Sequence, residues 1–302
     1  GTAMMRILGI VGVQVCICVP IIVFQFCKGK EFFSKEYWGY ALRIGIPIVP
    51  HYLSGIILNQ GDRIMIDKMV GKTEVALYGL AYSIGMLVQI FISGMNSALT
   101  PWMYSKIKKG DIRSMRKVLQ LLSIVVVGIA VALMLISPEM VLIFGSPKYR
   151  EAVYVIPPVA ASVFFIFIYN ILSMPQFYYE KTQFLMAASM AAAGANVVLN
   201  FIFIRLFGYI AAGYTTLACY MLYSVGHYIV SKQILVNEGI QENLMNPGFL
   251  LACSVFLIGA SIICNLIFPY RILRYAILLA SAGLVFWKKE LLLKTMADIR
   301  KK

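Results

Sequence analysis

The chain has 302 residues, of which 61% are apolar and only 13% charged, and it carries a net charge of +14 at neutral pH. Soluble domains run at about 45–50% apolar and about 25% charged residues, so this composition argues against a water-soluble globular fold. The positive charge comes with no nucleic-acid recognition motif, and a nucleic-acid partner is not expected.

The apolar residues fall into long continuous blocks. The first, 5–27, has Arg6 and then an apolar run from Ile7 that continues through Ile21, Ile22, Val23 and Phe24 with no small-residue cleavage pattern, so it reads as a span and not a signal peptide. The second, 43–69, is the richest in polar residues. The third, 75–100, contains Gln89 and Asn96, and the fourth covers 118–137. The fifth, 151–172, has the polar residues Asn170 and Gln176 at its end and runs into the tract 174–182, whose Phe177, Tyr178 and Tyr179 read as interfacial headgroup anchors. The sixth, 183–204, has small residues at 191–195 ahead of Asn196 and Asn200, which share one face and predict interhelical hydrogen bonding. The seventh and eighth cover 209–231 and 249–268, and a shorter ninth lies near 272–287.

A membrane span needs about 20 apolar residues at 1.5 Å per residue. Barrel strands would alternate, and backbone groups in lipid must be satisfied within the segment, so these blocks predict helices. The fold class is all-α: one polytopic transmembrane bundle of about nine spans. The connections are short, and no internal repeat stands out.

Charge predicts the orientation. If the connections alternate between two sides, one side gathers 18 of the 27 lysines and arginines and the other eight, with Arg63 left over. The positive-inside rule places the richer side in the cytoplasm, with the C-terminus there and residue 1 outside. The basic stretch 106–117 and the tail 288–302 are expected to meet anionic lipid headgroups, at about 1 kcal/mol for each Lys or Arg. The chain opens Gly1-Thr2-Ala3-Met4 and is expected to be a fragment of a longer protein, with an odd number of spans upstream if the true N-terminus is cytoplasmic.

No catalytic or metal site is visible. Cys16, Cys18, Cys27, Cys219, Cys253 and Cys264 all fall in or at the end of apolar blocks, form no C-x-x-C pair and read as buried small residues. His51 and His227 are the only histidines, and no zinc, phosphate-loop, dinucleotide or serine-nucleophile motif occurs. Neither an enzyme nor a cofactor is expected.

Polar residues at membrane depth are costly and therefore informative. In the second block, Pro47, His51, Ser54, Gly55, Leu58 and Asp62 share one helix face, while Asn59, Arg63 and Asp67 form a stripe on another. Arg63 and Asp67 can pair one turn apart, whereas Asp62 and Arg63 point away from each other. Either this helix lines an aqueous cavity, with Arg63 open to an anion, or 62–68 is its outer end. Spacing alone favours the second. Pro47 and Pro50 predict a bend.

Several segments, in this order, resemble the Wzx-type polysaccharide flippases of the multidrug/oligosaccharidyl-lipid/polysaccharide exporter superfamily. They are Leu53-Ser54-Gly55 with Asp62-Arg63-Ile64-Met65-Ile66, Met69-Val70-Gly71, Val75-Ala76-Leu77-Tyr78-Gly79, Ala81-Tyr82-Ser83, Asn196-Val197-Val198-Leu199-Asn200-Phe201 and Gly208-Tyr209-Ile210-Ala211-Ala212-Gly213. The resemblance implies a MATE-like architecture of twelve to fourteen helices in two lobes. It implies a transporter that flips an undecaprenyl-pyrophosphate-linked oligosaccharide across the bacterial cytoplasmic membrane by alternating access. On this footing 1–42 is the end of an N-terminal lobe with a cytoplasmic linker, 43–232 a six-helix C-terminal lobe, and 233–302 two extra helices with a basic tail. Arg63, and with less support Arg43, would bind the pyrophosphate. Asn59 and His51 would join them at the substrate, and Asp67 and Asp62 would serve as supporting acids. The implied partners are membrane lipids, the lipid-linked oligosaccharide, and polymerase and glycosyltransferases.

The alternative within transport is a MATE-like drug/cation antiporter. It needs an embedded carboxylate, and the sequence puts Asp62 and Asp67 toward one end of a span, which disfavours it. A non-transporting scaffold or a lipid-modifying enzyme would need an extramembrane domain or a carboxylate/His cluster, and neither is seen.

Overall fold

The computed structural model describes residues 3–30 and 33–287, so the basic tail 288–302 lies outside the described residues. Among these, every regular element is helical: ten α-helices and one 3₁₀ segment. The chain divides into two compact units, Gly1–Ile46 and Pro47–Lys302.

In the first unit, α1 covers Ala3–Gly29 and contains Pro20. It is apolar on all sides, and its side chains are exposed, including Cys16, Cys18 and Cys27. This corrects the expectation that all the cysteines are buried; only Cys219 and Cys264 are, with Cys253 intermediate. The reason is that a lipid-facing helix needs no protein partner to satisfy an apolar surface. The second helix, α2, covers Lys35–Met69, eight residues longer at its start than the predicted span, and includes Pro47 and Pro50.

The second unit takes α2 from Pro47 onward and continues with α3 (Lys72–Gly85), α4 (Leu87–Lys108) and α5 (Ile112–Phe144). A 3₁₀ segment, Pro147–Val155, leads into α6 (Ile156–Tyr178), followed by α7 (Thr182–Phe207), α8 (Ile210–Asn237), α9 (Pro247–Ile267) and α10 (Arg271–Trp287). The predicted third span is thus two helices broken at Met86. There Gly85 brings α3 so close to α6 that a Cβ would meet Val159 Cγ1 at 2.7 Å. Between α7 and α8 the chain turns at Gly208, whose φ of 74° is the left-handed conformation that glycine adopts freely.

The core is built around α6. It is apolar on all sides, with Phe164, Phe167, Ile168 and Ile171 at 0–1% exposure, and α3, α4, α5, α8 and α9 pack around it. An apolar helix with no polar face belongs in the middle of a bundle. Polar connections gather at two ends. At one, Lys106 pairs with Asp111 at 2.6 Å, and Arg116 donates to the Asn243 carbonyl at 2.7 Å. At the other, Arg274 is 3% exposed and bonds both Glu139 oxygens at 2.8 Å, tying α10 to α5.

Seven helical stretches among the described residues are long and apolar enough to cross a membrane, against the nine spans expected. The two outside this set are α8 and α10. In α8, Thr215, Thr216, Ser224, His227 and Ser231 dilute the apolar character and are buried against neighbouring helices. In α10, the helix has only 17 residues. The chain is a polytopic α-helical membrane protein.

Candidate functional site

The buried row of α2 is Ser54, Leu58, Asp62 and Ile66, at successive turns, as the face analysis predicts. The apolar residues on its other sides, such as Val49, Leu53, Ile56 and Ile64, are 55–59% exposed. Beside the fully buried Leu58 and Ile66, a set of polar contacts seats this part of α2 against its neighbours.

Asp62 is the centre of that set. It is fully buried. Its Oδ2 accepts from the Tyr78 hydroxyl of α3 at 2.5 Å and from Thr216 of α8 at 2.6 Å, and its Oδ1 accepts from Asn200 Nδ2 of α7 at 2.5 Å. Thr215 donates to the Asn200 carbonyl oxygen, and Asn200 Nδ2 also lies 3.1 Å from Asn196 Oδ1. Four helices meet on one carboxylate. Among the described residues no lysine or arginine pairs with it, and Asn196 Nδ2 is buried without a partner.

A second group lies on the same helix. Asn59 Oδ1 accepts from Tyr82 at 2.7 Å and from Tyr220 at 3.4 Å. His51 Nδ1 lies 2.7 Å from Ser189 Oγ and 3.0 Å from the Tyr223 hydroxyl. Tyr169 stacks beside Tyr220 and Tyr223, and Tyr223 lies against His227. Asn59 and His51 are therefore engaged with α3, α7 and α8.

Arg63 is half-exposed, with its guanidinium 5.2 Å from the centre of the Tyr82 ring and Nη1 bonded to Gln60 Oε1 at 2.7 Å. The expected ion pair with Asp67 does not form. Helical side chains lean toward the N-terminus, so Arg63 reaches back to Gln60 and across Tyr82, while Asp67 stays exposed one turn further on. Asp62 is likewise no ion partner of Arg63. Arg43 belongs to the first unit, on an exposed part of α2.

Sequence reading named Gln89 and Asn96 but missed the face they belong to. On α4, Gln89, Ser93, Asn96, Ser97 and Thr100 fall within an arc of about 100° at 100° per residue, and all five are exposed or half-exposed. Ser93, Ser97 and Thr100 each donate to the carbonyl four residues back, which leaves their oxygens free to accept. The signal in the sequence was the 4-3-4 spacing of small polar residues inside an apolar block. This uncharged face runs for about 17 Å at 1.5 Å per residue, roughly half the hydrocarbon thickness.

The profile of the polysaccharide biosynthesis protein family matches residues 4–108. The match contains Arg43, His51, Asn59, Asp62, Arg63, Asp67 and the whole α4 face, while Asn200 and Thr216 lie beyond it. Two curated relatives from Haemophilus influenzae are each 29% identical to the chain. One is named "Lsg locus putative protein 1" and aligns over 172 residues, 53% of this chain and 41% of the relative. The other is described as an uncharacterized membrane protein and aligns over 167 residues, 52% of this chain and 40% of the relative. The aligned part thus spans about two fifths of the length of these relatives. No solved structure matches the chain. Over residues 4–108 the chain is therefore similar to the polysaccharide biosynthesis protein family, in line with the resemblance to Wzx-type flippases in its sequence.

Proposed function

We propose that the protein moves a lipid-linked oligosaccharide, of the undecaprenyl-pyrophosphate type, across the bacterial cytoplasmic membrane by alternating access, and that residues from Pro47 onward form one lobe of the transporter. The observations that carry this reading are a half-exposed cation on α2 and, on α4 of the same unit, a neutral hydrogen-bonding face. Arg63 stands half-exposed on α2 with no acidic partner among the described residues, and α4 presents acceptor oxygens along its exposed side. A face of hydroxyls and amides is unfavourable against lipid, so it favours water or sugar hydroxyls. A guanidinium binds a diphosphate by charge-assisted, bidentate bonds. The family match supports the polysaccharide side of this reading.

The test is export in a strain whose full-length protein carries Arg63→Ala. Surface polysaccharide should be lost at unchanged protein level, and Arg63→Lys should restore it only in part, because an ammonium cannot reproduce the fork. Normal polysaccharide with Arg63→Ala would sink the proposal.

The antiporter reading gains one observation. Asp62, expected near a helix end, is fully buried among four helices, so an embedded carboxylate is present after all. If cation exchange is the activity, Asp62→Asn abolishes drug efflux by the full-length protein and leaves surface polysaccharide unchanged.

A further inference from the structure

We infer that the second unit holds a site for one anionic phospholipid, separate from the face around Arg63: an acyl chain lies in a crevice between α6, α8 and α9, and the phosphate meets Arg116 at its mouth. The crevice measures about 270 Å³. Its floor is Phe164, Phe165 and Ile168, all at 4% exposure or less, and its lips are Val225 and Leu251, exposed at 55% and 66%. It therefore opens sideways out of the bundle, where a membrane protein meets lipid.

The two serines in its wall do not make it polar. Ser224 donates to backbone carbonyls of Phe165 and Tyr220, and Ser254 to that of Leu250. Both hydroxyls give their protons to helix carbonyls, Ser224 is buried, and the lining is otherwise almost wholly apolar, so the wall offers mainly carbon to an occupant. Hydrocarbon is what such a wall accepts, at about 0.8 kcal/mol per buried methylene.

Polarity returns at one end only. Tyr228 and Pro247 line the crevice there, and Pro247 opens α9, so the positive end of that helix dipole is at the mouth. Asn243, four residues ahead of Pro247, is held by Arg116 of α5. Arg116 is anchored through Nε to the Asn243 carbonyl at 2.7 Å and touches Glu242 only at 3.4 Å through Nη2. Its Nη1 has no partner among the described residues. Arg113 and Lys117 on the same end of α5 are exposed. An apolar crevice with a guanidinium and further cations at one end is complementary to an acyl chain carrying a negative headgroup, and the charge is what selects a phospholipid over an uncharged occupant.

The full 302-residue chain, purified in detergent and stripped of lipid, should be offered equal amounts of dioleoylphosphatidylglycerol and dioleoylphosphatidylcholine and examined by native mass spectrometry. Wild type should retain one phosphatidylglycerol in preference to phosphatidylcholine by about fivefold, the factor that one basic residue is worth at an anionic headgroup. Arg116→Gln should bring that ratio close to one with lipid still bound. Ser254→Phe, which fills the crevice, should remove both lipids while the helical circular dichroism stays unchanged. Equal retention of the two lipids by wild type, or an undiminished adduct in Ser254→Phe, would overturn the site. So would a wild-type dimer that Ser254→Phe converts to monomer, since a second copy would then be the occupant. None of these outcomes depends on the transport activity proposed above.

Discussion

Asn200 Nδ2 sits 2.5 Å from Asp62 Oδ1, joining α7 to α2 across 138 residues of chain. With the bonds from Tyr78 and Thr216, this makes Asp62 the point at which α2, α3, α7 and α8 are fastened together. The contact lies in the same row of α2 as the fully buried Leu58 and Ile66, so hydrogen bonds and apolar packing together hold α2 in place.

Asp62→Ala therefore strands three donors in the interior, at a cost of about 1–3 kcal/mol for each one left unsatisfied. Thermal unfolding of the purified protein in detergent should show a large fall in midpoint for Asp62→Ala and a smaller one for Thr216→Val, which removes a single donor. An unchanged midpoint in Asp62→Ala would show that apolar packing alone holds α2.

Glu139 and Arg274 give a second expected outcome. Arg274 is nearly buried, and besides both Glu139 oxygens it reaches the Leu135 carbonyl at 2.6 Å, while the Tyr275 hydroxyl donates to Glu139 at 3.0 Å. Removing one partner of a buried ion pair costs about 3–5 kcal/mol, because the other charge is left uncompensated. Glu139→Leu alone should loosen α10 and speed proteolysis near 268–271. Glu139→Leu combined with Arg274→Met should recover most of the loss, as an apolar pair of similar size does in buried sites. Equal sensitivity in the single and double variants would overturn this account.

The helices were legible because lipid imposes a length and an all-round apolarity that a sequence displays directly. The buried face of α2 was legible for a similar reason, since Ser54, Leu58 and Asp62 follow helical spacing. Three features were not. The break at Met86 depends on how closely Gly85 approaches Val159, a contact between residues far apart in sequence. The partner of Arg63 depended on the lean of its side chain and on the Tyr82 ring from another helix. Asp62 read as a helix-end acid because its three donors come from 16, 138 and 154 residues away. Asn200 was correctly read as an interhelical hydrogen bonder, whereas Asn196 bonds Asn200 within α7, and spacing within one helix cannot name the residue that Asn200 serves.

The neutral face of α4 has its own consequence for transport. Ser93→Leu with Ser97→Leu replaces two acceptor hydroxyls by hydrocarbon on an exposed helix side, so the fold should be little affected: exposed substitutions change stability by about 0.5 kcal/mol or less. Export of surface polysaccharide by the full-length protein should nonetheless fall sharply, and Ser93→Thr with Ser97→Thr, which keeps both hydroxyls, should retain it. Full export by the leucine pair would remove α4 from the substrate path.

Accessibility tests the same face without reference to substrate. Single cysteines at 89, 93, 97 and 100, introduced into a variant lacking the six native cysteines, should react with a membrane-impermeant maleimide in intact cells or in inverted vesicles. Removing the native thiols is necessary because Cys16, Cys18 and Cys27 are exposed and would contribute labelling of their own. A cysteine at position 91 is the control: Phe91 is 48% exposed, yet it sits about 200° around the helix from Gln89 and on the apolar side. If α4 faces water, the four stripe positions label and position 91 does not, because a thiol in hydrocarbon stays protonated and unreactive toward a charged reagent. Labelling that ignores this periodicity, or none at the stripe, would mean that the polar side of α4 packs against protein and that its hydroxyls serve helix association instead of a hydrophilic path.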